Sequence, residues 1–412
     1  MEEAEKQNII FVTNLHLWSL EKNKGGKAFY STVQGYIKAN WNVILISTGG
    51  GIPRELYQKA IVFEKRYNCA DKFVANKFKV ISFLGRLLKF YFNNKFYYKT
   101  AKNAIKQAGA KNTIVYAYEV EGVKAAKRIA NKFHIPLTIR FQGTILANIE
   151  DTFINRIRRT PHFSALKTTA DLVIMTNDGT KGHEVLKRIG NKSYKIVFWR
   201  NGVDGIQSIY GQQEYFDKHE TDILDDAKFY FLTVSRLVDW KRVNLAIQGL
   251  SKIIKKYPQA HLIVVGDGPE MESLVNLTKT LSIDSHVTFK GAVQQDEIKE
   301  IMAESNAFLS FYDLSNLGNP IMEAMIAGLP IVTIDVGDTK ELIKNNENGF
   351  LIPADKLEFI PIFMEKVLVD SKLRHKFSKA AQLTAKNEFI SWDERIENEI
   401  RLVGNLISSN KS

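Results

Sequence analysis

Cysteine is nearly missing from this chain of 412 residues, where Cys69 stands alone. A single thiol excludes an internal disulfide framework and a metal site of cysteine type, and it fits a reducing compartment. Long apolar runs are missing too, since none reaches the roughly 18 residues that a spanning helix needs. The N-terminus, MEEAEKQ, is acidic and polar and does not read as a signal peptide. There is no G-x-G-x-x-G followed by an acid about 20 residues on, which disfavours a dinucleotide dehydrogenase. Nor does any usual nucleic-acid motif occur, so no nucleic-acid partner is expected. Acidic residues are scarce in the first half only: residues 1–200 hold 34 Lys+Arg against 14 Asp+Glu, and residues 201–412 hold 23 against 31. The halves therefore meet different partners, and a basic half suits an anionic membrane surface or an acidic substrate.

What is present reads as a succession of buried strands and helices, too long for one core and suited to two. NIIFVTNL (8–15), NVILIST (42–48), NTIVYAY (112–118), LTIRF (137–141) and DLVIMTN (171–177) are short apolar runs with helices between them. That is the pattern of a parallel sheet covered on both faces. The first strand leads through a polar loop holding His16, Trp18, Gly25 and Gly26 into a helix that runs to about Ala39. Gly25 and Gly26 there let backbone approach a ligand phosphate or acceptor, or they simply make the loop flexible. Arg140, at the end of its strand, meets either an anionic acceptor or a structural ion pair. Glu119 and Glu121 are acceptor contacts or a charged helix start. The segment 86–106, RLLKFYFNNKFYYKTAKNAIK, mixes aromatics, leucines and lysines. It is either a helix packed on the sheet with solvated lysines or a basic amphipathic segment lying among lipid headgroups.

The second half carries the chemistry. In KFYFLTVSRLVDWKR (228–242), an apolar strand ends abruptly in Arg236 and Lys241. Two cations at the carboxyl end of a parallel strand lie where phosphates bind in such sheets. HLIVVGDGPE (261–270) is a strand followed by a glycine turn. AFLSFY is a buried run that stops at the polar turn SNLGNP, and a helix then opens at Pro320. Gly318 and Asn319 would leave free N–H groups and the positive helix end facing that turn, an anion cradle. Glu323, placed within the first turn, either reaches ligand hydroxyls or only complements the helix dipole. Residues 371–405 read as helical.

SNLGNPIMEAM, then GLPIVT, then VGDTKE resembles the donor-binding signature of the retaining GT-B glycosyltransferases of sequence family 4. Three further stretches resemble that family. Asn-Gly-Val-Asp at 201–204 commonly closes its first domain; Arg236 and Lys241 match its Gly-Arg-Leu and Lys-Gly pattern; Gly266, Asp267, Gly268 and Pro269 match its glycine turn. Residue by residue, the family's second glutamate falls on Glu323, its loop glycine on Gly318 and its later glutamate on Glu341. Its first glutamate falls on Ser315, and Gln142 stands where many members have a histidine.

The resemblance implies an α/β fold of GT-B architecture: two Rossmann-like, doubly wound parallel-sheet domains facing across a cleft. It implies an acceptor-binding domain over 1–205, a nucleotide-sugar-binding domain over 206–390, and a C-terminal helix, 391–412, crossing back to the first domain. Arg236, Lys241 and Glu323 would then be catalytic, with the two cations holding the donor diphosphate. Gly25, Gly26, Gly266, Asp267, Lys290, Val293, Ser315, Asn316, Leu317, Gly318 and Asn319 would contact the donor. The donor would be a UDP or GDP sugar, and the acceptor a glycan or a lipid-linked molecule in cell-surface polysaccharide biosynthesis. No cofactor or metal is expected: there is no Asp-Xaa-Asp between strands and no histidine cluster, and the Arg/Lys pair can neutralise the leaving diphosphate. The location expected is cytoplasmic, peripheral on the inner face of the membrane. The alternative is a non-catalytic sugar-nucleotide-binding or scaffold protein of the same fold, with Ser315 marking altered donor handling.

Overall fold

The computed structural model describes residues 6–15, 27–65, 69–75, 78–147, 149–206 and 228–409. The loop holding His16, Trp18, Gly25 and Gly26, and the polar stretch from Gln207 to Asp226, lie outside the described residues. The chain divides into two compact units. The first comprises Met1–Asn177, Lys181–Asn201 and Asp393–Ser412; the second comprises Asp178–Thr180 and Gly202–Trp392.

The first unit holds strands β1 (Asn8–Thr13), β2 (Asn42–Ser47), β3 (Ile61–Glu64), β4 (Thr113–Tyr118), β5 (Leu137–Phe141), β6 (Leu172–Thr176) and β7 (Lys195–Trp199). They form one parallel sheet in the order β3-β2-β1-β4-β5-β6-β7. All residues of β1, β4, β5 and β6 are buried. Such strands need apolar side chains on both faces, which explains why they are legible as continuous apolar runs. The helices pack on each face: Ile10, Val115 and Ile139 point into one cluster, and Ile9, Phe11 and Tyr116 into the other.

The second unit holds β8 (Phe229–Val234), β9 (Ala260–Val265), β10 (Val287–Gly291), β11 (Ala307–Ser310), β12 (Ile331–Asp335) and β13 (Gly349–Pro353). Its order, β10-β9-β8-β11-β12-β13, is again parallel throughout. In each sheet the chain winds outward from its first strand, returns to that strand's other side and winds outward again. The reversal lies between β1 and β4 in one unit and between β8 and β11 in the other. The loops leaving the carboxyl ends of those strands splay apart there and open a ligand crevice. Two doubly wound parallel sheets are thus present, as the sequence implies.

Two local readings need correction. The stretch read as helical over 371–405 is divided into two helices, Ser371–Glu388 and Trp392–Ser409. They break where the N–H of Val203 donates to the carbonyl of Ile390 at 3.0 Å, so a backbone pairing replaces a helical turn. The helix of residues 86–106 also begins earlier and runs from Lys79 to Ala108.

Arg140 resolves to the ion pair, not to an acceptor contact. Its Nη1 donates to Glu399 Oε2 at 2.9 Å, and Arg395 Nη1 donates to the same oxygen at 3.0 Å. Tyr116 Oη donates to the other carboxylate oxygen of Glu399 at 2.7 Å. Arg140 and Glu399 are wholly buried. The helix Trp392–Ser409 is therefore bound to the first sheet by a charged triad as well as by Val403 and Ile407 in its core. Gly35 makes room for it: a Cβ there would stand 2.2 Å from Ile396 Cγ2.

Candidate functional site

The second unit's reversal point brings together two of the loops singled out in the sequence. After β8, Leu237 is buried while Arg236 is exposed, so the guanidinium leaves the strand end toward solvent. A short turn, Asp239–Lys241, then carries Lys241. Lys241 Nζ stands 3.4 Å from the centroid of the Tyr312 ring and 4.1 Å from that of Trp240. Tyr312 belongs to the loop after β11, and its hydroxyl donates to the Val234 carbonyl at 2.8 Å. The Asp313 N–H donates to the Trp240 carbonyl at 2.9 Å, and Arg242 Nη1 pairs with Asp313 at 2.9 Å. The two loops are sewn together, and Lys241 is held on aromatic faces, where a cation is stabilised without a counter-ion.

Electrostatics mark the same place. Burial, reinforced by the neighbouring Arg236 and opposed by Asp178, lowers the Lys241 pKa to about 7. Burial raises the Asp178 carboxyl to about 6, against hydrogen bonds from Thr180 and the attraction of Lys241. An ammonium so placed gains more from an arriving anion than a solvated one does, because water no longer competes for it.

The loop 315–319 divides into an inward and an outward part. Ser315 is buried; its hydroxyl donates to the Asp178 carbonyl at 2.5 Å and accepts from the Leu317 N–H at 3.2 Å. Asn316 is fully buried, with Oδ1 accepting from Ser310 Oγ at 2.7 Å and from the Tyr312 N–H at 3.1 Å. Its side chain closes the end of β11 and is not presented to the turn. Leu317 packs in the core. Gly318 and Asn319 face outward, and among the described residues their backbone N–H groups have no acceptor. A Cβ on Gly318 would meet nothing closer than Pro320 Cδ at 3.6 Å, and Gly318 φ is −77°. Glycine is required there neither by conformation nor by packing, so what it provides is open access to backbone.

The helix after this loop is Asn319–Ile326, opening one residue before Pro320 with Gly318 as its cap. Glu323 therefore sits at the start of its second turn and not within the first, so it does not serve the helix end. Gln295 Nε2 donates to Glu323 Oε1 at 2.9 Å and fixes the carboxylate. On the other side of β8, Gly266 has φ +130°, and a Cβ there would stand 1.8 Å from the Ser235 carbonyl oxygen. This position admits only glycine. Asp267 is exposed, and its Oδ1 accepts from the Gly268 N–H at 2.7 Å. Lys290 is exposed at the end of β10, and Val293 packs against the core beyond it. Among the described residues, no group of three or more His, Cys, Asp or Glu is placed to hold a metal ion.

Asp178 is the residue that sequence reasoning missed. It precedes Gly179, where a Cβ would stand 2.0 Å from Ser315 Oγ, and the Asp338 N–H donates to the Gly179 carbonyl at 3.1 Å. A DGT turn after a strand was the available signal, but nothing in the sequence says that it joins loops more than 130 residues away.

Residues 215–384 match the family model for glycosyl transferases group 1. N-acetyl-alpha-D-glucosaminyl L-malate synthase of Bacillus anthracis is 25% identical over 49% of this chain and 53% of its own length. Sulfoquinovosyl transferase SQD2 of Arabidopsis thaliana is 22% identical over 87% of this chain and 66% of its own. The matched stretches thus span about half to two thirds of these relatives. HepE of Anabaena, solved in complex with UDP-glucose, superposes with a TM-score of 0.67 at 19% identity, covering 96% of this chain and 99% of its own. The chain has the GT-B fold, and its likeness to glycosyl transferases group 1 lies in residues 215–384, which form most of the second unit.

Proposed function

We propose that this protein moves a sugar, with retention of configuration, from a nucleoside-diphosphate sugar to a glycan or lipid-linked acceptor. The observation that carries this reading is Lys241, a desolvated lysine held on Trp240 and Tyr312 beside Arg236, at the reversal point of the second sheet. Charge develops on the departing diphosphate in the transition state, and cations already in place stabilise it without reorganising. The free N–H groups of Gly318 and Asn319 add a third positive element on the same loop pair. Glu323, held by Gln295, is poised to accept from sugar hydroxyls. Gly266 lets the chain turn closely beside β8, and Lys290 to Val293 lie where the base would pass. UDP and GDP sugars are both donors within this reading, and UDP-glucose in the Anabaena neighbour supports the class.

The proposed chemistry needs no metal, because three positive groups face the leaving diphosphate. The proposal places the protein in the cytoplasm, peripherally on an anionic membrane surface, in cell-surface polysaccharide biosynthesis. Among the described residues no helix is long and apolar enough to cross a membrane.

The test is release of nucleoside diphosphate from a panel of UDP and GDP sugars, with and without EDTA. Release from one donor that persists in EDTA is expected. Binding of a donor with no release under any acceptor mixture would support the non-catalytic alternative, and absence of binding across the panel would end the reading.

A further inference from the structure

The helix Lys79–Ala108 is 30 residues long, yet only its second half lies on the first sheet. Asn93 Nδ2 donates to Glu121 Oε2 at 3.0 Å, and Tyr97 Oη donates to the Thr13 carbonyl at 3.1 Å. Thr13 ends β1 and Glu121 opens the helix after β4, so these contacts fix the level of the sheet's carboxyl edge. Residues 79–92 continue past that edge for about 20 Å at 1.5 Å per residue. The short helix Asp71–Val74 packs along this overhang. It approaches at Gly85, where a Cβ would stand 2.6 Å from the Phe73 carbonyl carbon, and it is tied by Lys89 to Asp71 at 2.7 Å.

The opposite face of the overhang is apolar and uncovered: Val80 is 71% exposed, Leu84 53% and Tyr91 59%. Val80, Leu84, Leu87 and Tyr91 recur at three- and four-residue spacing, so they form one stripe. Continued at the same spacing, the stripe passes through Lys95, Lys99, Lys102 and Lys106. One helix face is therefore apolar where it leaves the sheet and carries four lysines where it lies on it. The helix carries seven basic residues and no acidic one.

We infer that this face docks on an anionic lipid bilayer, with the overhang set among the acyl-chain boundary and the lysine ladder against the phosphates. Apolar area and positive charge in series along one helix match the two layers of such a surface. A second copy of this chain fits poorly, because it would lay one lysine ladder against another. The docked surface brings the carboxyl edge of the first sheet to the headgroups, so the acceptor is a lipid-linked molecule; that last step rests on the glycosyl-transfer reading, whereas the docking does not.

Flotation of the full chain with phosphatidylcholine vesicles, with and without phosphatidylglycerol, tests the inference. Binding is expected with phosphatidylglycerol only. It should fall at least tenfold in Leu84→Glu/Leu87→Glu and in Lys95→Glu/Lys99→Glu/Lys106→Glu, all at exposed positions, with melting temperatures kept. Equal binding to both vesicle types, or retention in both variants, overturns it. So does a dimer in light scattering that Leu84→Glu/Leu87→Glu dissolves, which would assign the stripe to a second copy. Thermal stabilisation by UDP or GDP, measured on the same samples, is expected to be unchanged by either variant. Its absence in the wild type would sink the donor site and leave the flotation result standing.

Discussion

The two sheets share a winding order but use their reversal points differently. In the second unit the loops after β8 and β11 are locked by short-range packing: Gly266 against Ser235, Trp240 against Asp313, Asn316 against Ser310 and Tyr312. What those loops turn outward includes the Arg236 guanidinium and the open backbone N–H groups of Gly318 and Asn319. The first unit spends its rigidity elsewhere, on the buried triad of Arg140, Arg395 and Glu399, and projects an uncovered helix beyond its carboxyl edge. A site that must neutralise a compact diphosphate needs fixed donors, whereas a surface that meets a fluid layer needs exposed apolar area and charge in bulk.

That contrast can be broken at either end. The largest stability effect is expected from Glu399→Ala, which leaves two buried guanidinium groups without their carboxylate. Breaking a buried pair in this way costs about 3–5 kcal/mol, read as a lowered denaturant midpoint. Unfolding midpoints equal to the wild type would mean that the triad does not hold the terminal helix. On the other unit, Arg236→Ala and Lys241→Ala should each reduce turnover by about 2.7–4 kcal/mol while leaving the melting temperature nearly unchanged.

A smaller effect concerns pH. Free Lys241 has a pKa of about 7, and a bound diphosphate restores its proton. Diphosphate affinity should therefore hold below pH 7 and fall above it, by at most about tenfold per pH unit. Lys241→Arg, which keeps its charge, should flatten the profile; an unchanged slope would place the titration elsewhere. The smallest expected change is in Gly318→Ala. Space around the Cβ predicts a folding cost within about 0.5 kcal/mol, with donor binding weakened because the methyl screens the N–H groups of the cap.

Much of the placement of the loops after β8 and β11 is legible, because strand ends, glycine turns and helix starts are local features. The positions of Arg236, Lys241 and Gly318 can be read that way. Arg140 could not be resolved, since its partner Glu399 lies 259 residues away and no local pattern announces a buried ion pair. Asn316 was placed toward the donor, yet it caps a strand end inside the core, which polar character alone does not distinguish. Ser315, expected to contact the donor, stitches the Asp178 turn to the loop, so Ser315→Glu would press a longer side chain against Gly179. β3 escaped because Ile61–Glu64 is a four-residue edge strand without a buried residue. The helix of residues 86–106 was seen but shortened, because its first turns have no core side to mark a start.

The central claim is that the second unit's reversal point holds a nucleoside diphosphate through Lys241 and Arg236. Calorimetric titration of UDP and GDP into the full chain at pH 6.5, repeated with Lys241→Ala and Arg236→Ala, tests it most directly. The account predicts binding of at least one nucleotide, weakened about tenfold or more in each variant, equivalent to about 1.4 kcal/mol. Equal affinity in wild type and both variants would contradict it.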